Sequence, residues 1–222
     1  MSPDNSVQMT GPTREFWHER FVTHHTPWDR GAANPQLKHW LDSKALEPCR
    51  ILVPGCGSGY EVAVLAERGF EVTALDYAPA AVALTRERLE HMNARATGVE
   101  ADVLAWEATV PFDAIYEQTC VCALHPDHWV RYAHRVDRWI TSAGKLFALF
   151  MQALRPGAGE GSIQGPPYHC DINAMRALFA ETTWRWPAPP YPRVPHSGTW
   201  FELAVVLEHR PGSGVSYAAA SS

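Results

Sequence analysis

Short apolar runs alternate along this chain with amphipathic stretches of longer period. Ile51-Leu52-Val53 and Phe70-Glu71-Val72-Thr73-Ala74-Leu75 are brief and rich in branched residues, which predicts strands at 49–54 and 70–76. After Asp127 the period changes: Trp129, Tyr132, Ala133, Val136 and Ile140 fall at i, i+3, i+4, i+7 and i+11, one continuous apolar face that predicts a helix over 127–142. After Pro79, Val82, Leu89, Met92 and Ala96 share a face while Arg86, Glu87 and Arg88 avoid it, predicting a helix over 79–95. Gly69 stands where a helix over 59–68 should close. The remaining pattern gives helices at 14–24 and 35–44 around a loop at 25–34, and strands at 98–101, 112–117 and 143–151. Asp171 then caps a helix that turns Met175, Leu178 and Phe179 inward, and a last strand covers 201–207. Strand and helix alternate throughout, the rhythm of an α/β fold with a largely parallel sheet.

Composition narrows the picture. The 222 residues, 46% hydrophobic, suffice for one substantial core. The polar stretch 1–13 and the small-residue stretch 210–222 are expected to be disordered tails on a single domain spanning 14–209, whose segment 14–44 precedes the first strand. A net charge of −5 offers no basic surface for nucleic acid or an anionic membrane. No apolar stretch reaches the roughly 18 residues that cross a bilayer, so a cytoplasmic protein is expected. The odd number of cysteines, five, lacks metal-finger spacing. Cys120 and Cys122, separated by one residue in an apolar run read as a strand, look like buried free thiols without the spacing of a zinc site, so no metal is expected.

The chemistry concentrates where the first strand ends, in Gly55-Cys56-Gly57-Ser58-Gly59-Tyr60-Glu61. Glycines tolerate positive φ and let a ligand approach the backbone, and the following helix turns its N–H groups toward that ligand. Dinucleotide loops need G-x-G-x-x-G, whose third glycine permits close helix packing. Here Tyr60 stands at that place. The loop therefore favours S-adenosylmethionine, which has no pyrophosphate, over a dinucleotide; a tight turn without a ligand is the plainer reading. Asp76 ends the second strand and is placed to accept hydrogen bonds from ribose hydroxyls, or else to cap the helix that Pro79 begins. The Gly/Pro-rich stretches 155–170 and 187–199 are long and irregular, as substrate-bordering loops are.

The segments PWDRGAANP at 27–35, LVPGCGSGYE at 52–61, LD at 75–76 and CALHPDHW at 122–129 resemble the thiopurine/thiol/halide methyltransferase family over roughly residues 14–209. The resemblance implies the Rossmann-like class I methyltransferase fold: a seven-stranded, mostly parallel sheet, helices on both faces, and an antiparallel last strand. It implies methyl transfer from S-adenosyl-L-methionine to a small sulfur, selenium or halide nucleophile. Carried onto this chain, the resemblance implies that Trp17 and Trp28 close over the cofactor, Gly55 and Glu61 serve its methionine end, Asp76 holds its ribose and Asp102 and Val103 flank its adenine, with Gly57, Gly59 and Tyr77 also binding the cofactor. Gln118 borders the cofactor where relatives carry a tyrosine, and Cys120 and Val121 replace phenylalanines. Tyr168 matches a family position near the substrate.

Methyl transfer from a sulfonium needs alignment more than proton chemistry. Positioning supplies on the order of 7–11 kcal/mol in favourable systems, against roughly 3–5 kcal/mol for a general base. A thiolate, thiocyanate or halide needs no base. An oxygen nucleophile would, and His125, Asp127 and His169 are its candidates, although His125-Pro126-Asp127 reads equally as a turn in which Asp127 caps the next helix. The alternatives are thus a small-molecule O-methyltransferase, or an accessory protein that binds the cofactor without transfer.

Overall fold

A computed structural model describes residues 11–155, 163–196 and 198–210, so the expected tails lie almost wholly outside the described residues. Strands β1 (Arg50–Pro54), β2 (Glu71–Asp76), β3 (Thr97–Glu100), β4 (Phe112–Gln118) and β5 (Ile140–Gln152) run parallel in the order β3-β2-β1-β4-β5. The last strand, β8 (Phe201–His209), lies antiparallel against β5 from Lys145↔Glu208 to Gln152↔Phe201. Two short strands, β6 (Trp184–Arg185) and β7 (Arg193–Pro195), pair with opposite ends of the same free edge of β8. Eight strands are thus present where seven were expected, because the edge strand is broken in two. Pro187, Pro189, Pro190 and Pro192 remove the donors that would have joined the pieces.

Side-chain alternation splits the core between the two faces. Ile51, Val53, Val72 and Phe147 face helices α2 (Pro35–Asp42) and α3 (Tyr60–Glu67), while Leu52, Ile115, Leu146 and Phe150 face α6 (Trp129–Trp139) and α7 (Ile172–Leu178). α4 (Pro79–His91) covers β2 and β3, and α1 (Arg14–Val22) lies against α4. Asp171 caps α7 through Asn173 N–H and Ala174 N–H, as its place before the apolar stripe predicts.

Most element ends shift by one to three residues from the sequence reading, and three differences have a physical reason. α4 ends at His91, where Asn93 turns the chain at φ 50°; its buried stripe is Ala81, Val82, Thr85 and Leu89, and Met92 is exposed. The helix after Asp127 stops at Trp139, and Ile140, assigned to its face, begins β5. β-branched Ile140 and Thr141 favour the extended chain there. Cys120 and Cys122 lie on a short helix, α5 (Cys120–Ala123), not on the expected strand, so both thiols sit buried on one turn.

Candidate functional site

The order of strands reverses between β1 and β4, and a crevice opens at their carboxyl ends, where doubly wound sheets bind ligands. It is a cavity of about 660 Å³. The loop after β1 forms one wall. Gly55, Gly57 and Gly59 have φ of 63°, 52° and 74°, a region that only glycine enters freely. Gly59 also lies so close to α4 that a Cβ there would stand 2.6 Å from Thr85 Oγ1 and 2.9 Å from Thr85 Cα. The close approach assigned to the third glycine of a dinucleotide loop is therefore made by Gly59. α4 grips the loop further: Thr85 Oγ1 donates to Gly57 O at 2.9 Å, Arg88 Nε donates to Ser58 O at 2.7 Å, and the Arg88 guanidinium lies over the Tyr60 ring.

Asp76 joins that loop to the start of α4. Its Oδ2 accepts from Gly57 N–H and its Oδ1 from Ala78 N–H, both at 2.9 Å. Burial pushes the carboxyl up while these N–H groups hold it down. Each carboxylate oxygen has two lone pairs, so room remains for a hydroxyl from the cavity. Asp76 is not the cap of α4, whose N-cap is Ala78 with no side-chain cap bond; it holds the Ala78 N–H from the wall of the cavity. Tyr77, Asp102 and Val103 continue this wall, with Asp102 Oδ1 accepting from Leu104 N–H at 2.8 Å.

The segment before β1 arches over the crevice. Trp17 and Trp28 meet edge to face with ring centres 5.5 Å apart, and both pack on Phe21, Ala78 and Ala81. Polar latches hold the strap 25–34 down. Asp29 Oδ2 accepts from Ser58 Oγ at 2.9 Å, and Glu61 Oε1 accepts from Asn34 N–H at 2.9 Å. Glu61 is partly buried, and its desolvation raises the carboxyl. Trp17, Trp28, the three glycines, Glu61, Asp76, Tyr77, Asp102, Val103 and Gln118 all line the one cavity.

The far end is built from the elements after β4. Leu124, His125, Arg131, Met151, Arg155 and Trp200 line it, with Pro166 and Pro167. Arg155 donates to Pro166 O at 3.1 Å and its guanidinium stands over the Trp200 ring. Of the two stretches expected to border the substrate, Arg155, Gly165–Pro167 and His196 reach the cavity, whereas residues 156–162 and 197 lie outside the described residues. Tyr168 is not among the lining residues; it packs edge-on to His125 with ring centres 5.3 Å apart. Asp127 is exposed and outside the lining, and His169 is also outside it, its protonation disfavoured by burial. At the His125-Pro126-Asp127 turn the cap is His125, whose Nδ1 accepts from Asp127 N–H at 3.3 Å; Asp127 does not cap α6.

Reasoning from sequence missed a second tier of polar residues: Tyr116, Arg30, Asn34 and Glu202. Tyr116 Oη donates to Gln118 Oε1 at 2.7 Å, and Gln118 Nε2 donates to Glu202 Oε1 at 3.3 Å. The signal was Glu202, the one charged residue in the otherwise apolar run Phe201–Leu207, where burial demands a partner.

The residues present fit S-adenosylmethionine: positive-φ glycines leave space for close approach, a helix N-terminus faces the crevice, and a buried carboxylate stands at the end of the second strand. Fold and site together define a class I methyltransferase dependent on that cofactor. The model of the family "Thiopurine S-methyltransferase (TPMT)" matches residues 12–187, and the chain belongs to that family. It is 31% identical over 175 residues to thiocyanate methyltransferase 1 of Arabidopsis thaliana, covering 76% of this chain and 71% of that one. A probable thiol methyltransferase 2 of the same plant is 30% identical over 165 residues, covering 73% and 70%. Among solved structures, a 1,6-didemethyltoxoflavin-N1-methyltransferase of Burkholderia thailandensis with bound S-adenosylhomocysteine shares the fold, with TM-score 0.70 and 18% identity over 89% of this chain and 87% of that one. The protein is a small-molecule methyltransferase. Among the described residues no helix is long and apolar enough to cross a membrane.

Proposed function

We propose that the acceptor is a sulfur nucleophile, a thiol, thiopurine or thiocyanate, that enters the far end of the cavity as a soft anion; halide belongs to the same chemistry. One observation carries this reading. The carboxylates that line the cavity, Asp29, Glu61, Asp76 and Asp102, all belong to the cofactor side, and each accepts a backbone N–H there. The acceptor side presents Arg131, Arg155, the imidazoles of His125 and His128, and aromatic or apolar surface, with no carboxylate among its described residues. Such a chamber stabilises an acceptor that arrives as an anion, and only its imidazoles could serve an alcohol as a base.

S-adenosylmethionine supplies an electrophilic methyl on a sulfonium. The chain's own work is then binding, alignment and exclusion of water. Asp76 with Tyr77 holds the ribose, Asp102 and Val103 flank the adenine, and Gly55, Gly57, Gly59 and Glu61 serve the methionine end. Trp17 and Trp28 cover the site, stripping water from nucleophile and sulfonium. Gln118 stands between the two ends. His125 and Tyr168 shape the acceptor end, and Asp127 acts through His125. The five cysteines are free thiols, which suits a reducing compartment such as the cytoplasm.

Purified protein is tested by S-adenosylhomocysteine formation with an aryl thiol, thiocyanate, iodide and a phenol. Turnover is expected with the sulfur acceptors, rising with pH as the thiol ionises and levelling above its pKa. Turnover of the phenol alone, or tight cofactor binding without turnover on any acceptor, would overturn the reading.

A further inference from the structure

We infer that Glu202, a carboxylate outside the cavity wall, is a positioning residue for methyl transfer: it fixes Arg30 of the strap and Gln118 of β4 on two sides of the cavity. The inference rests on the reading above only in taking this cavity as the place of reaction.

Glu202 is fully buried on β8. Its Oε2 accepts from Asn34 Nδ2 at 2.9 Å and from Arg30 Nη2 at 3.3 Å, and its Oε1 accepts from Gln118 Nε2 at 3.3 Å. The other end of each partner is also tied. Arg30 donates to Pro195 O at 2.8 Å, Gln118 accepts from Tyr116 Oη, and Asn34 donates its backbone N–H to Glu61. One carboxylate thereby joins the strap, β4 and the β7 edge. Arg30, Gln118 and Tyr116 line the cavity, whereas Glu202 does not.

Stability alone gives a poor account of this side chain. Burying a carboxylate is costly even when it is paired, and a well-packed apolar residue commonly does as well. The following residues of β8, Leu203, Ala204 and Val205, are apolar. What an apolar residue at this position could not do is orient a guanidinium and an amide at the cavity. Gln118 is the clearest case: gripped at both ends, it keeps its NH₂ toward Glu202 and its oxygen toward Tyr116, so its face toward the cavity is set.

Charge makes the device pH-dependent. Burial pushes Glu202 up to about 7, opposed by Arg30, Asn34 and Gln118. The titratable groups around it are Arg30 from the strap, Glu61 from α3, Tyr116 and Glu117 from β4, and Cys122 from α5, with His196 beside Arg30. Arg30 is the cation among them that bonds to it. Below neutral pH Glu202 takes up a proton, loses its charge toward Arg30, and the hold on the strap weakens.

The test compares Glu202→Gln, Arg30→Gln and the double variant with the parent, using whichever acceptor the parent turns over. Displacements of an ångström can cost two orders of magnitude in rate, so kcat/KM for the acceptor is expected to fall at least about tenfold in each single variant. Affinity for S-adenosylhomocysteine should stay within about threefold, because Asp29–Ser58 and Asn34–Glu61 still hold the strap. With thiocyanate, or another acceptor that does not itself titrate in this range, the acidic limb of the parent's kcat/KM profile near pH 7 should vanish in Glu202→Gln. The double variant should be no worse than either single one, since both break one interaction. Parental kcat/KM with the limb retained in Glu202→Gln, or additive losses in the double variant, would overturn the proposal. Should Glu202→Gln fail to fold, Arg30→Gln decides: its side chain is 26% exposed, and unchanged turnover in that variant refutes the positioning role. A parent active only on oxygen acceptors would refute the acceptor class and leave this comparison intact.

Discussion

Asp76 ties the glycine loop to the start of α4 from the wall of the cavity. Its carboxylate secures Gly57 N–H and Ala78 N–H and keeps lone pairs for the cavity. Asp76→Ala therefore strips two backbone donors of their acceptor and removes the proposed ribose ligand. A charged hydrogen bond contributes roughly 1.5–3 kcal/mol, so S-adenosylhomocysteine affinity should fall at least tenfold by calorimetry, with a lowered Tm. Parental affinity would place the ribose elsewhere. Residues of this kind were legible because strand, glycines and carboxylate stand at fixed spacing along the chain. Arg30, Asn34 and Glu202 were not, since their meeting depends on residues up to 172 positions apart.

At the scale of elements, periodicity located helices and strands and failed at their joints. Trp139 and Ile140 both belong to a buried stripe, so apolar spacing alone could not show that helix gives way to strand between them. α5 was invisible for a similar reason: four residues are less than two turns, too short for any period. What supports α5 is a buried carboxylate beneath it. Glu117 Oε1 accepts from Val121 N–H at 2.8 Å, and burial pushes the carboxyl up from 4.5 to about 7. The folded chain thus keeps this proton to higher pH than the unfolded chain does. Its contribution is complete below about pH 4.5 and is lost as pH rises toward 7, a change on the order of 3 kcal/mol. Urea unfolding at pH 5 and pH 7.5 should show the parent losing stability relative to Glu117→Gln across that interval. Parallel pH profiles would mean that Glu117 is already ionised in the fold.

Across the whole molecule, the sheet and the strap are held by different forces. β5 pairs with β4 and β8 along most of its length and is buried on both faces. Residues 14–34 rest instead on a small apolar cluster of Trp17, Phe21, Trp28, Ala78 and Ala81, a few carboxylate latches, and the Arg14–Glu100 ion pair. Segments with few buried contacts open at lower free energy than the core, so the strap should exchange its amides through local opening while β5 exchanges only on global unfolding. A cofactor that binds only the closed form adds RT ln(1 + [L]/Kd), about 2.7 kcal/mol at a hundredfold excess over Kd. Hydrogen exchange with saturating S-adenosylhomocysteine should therefore slow residues 14–34 and the loop 55–60 by up to about a hundredfold. β5 should slow as well if it exchanges by global unfolding, since the ligand stabilises the entire native state by the same amount. The discriminating pattern is in the absence of ligand: fast exchange in 14–34 beside slow exchange in β5. Uniform protection across both without ligand would mean that the strap is an integral part of the core and that the cofactor enters by another route.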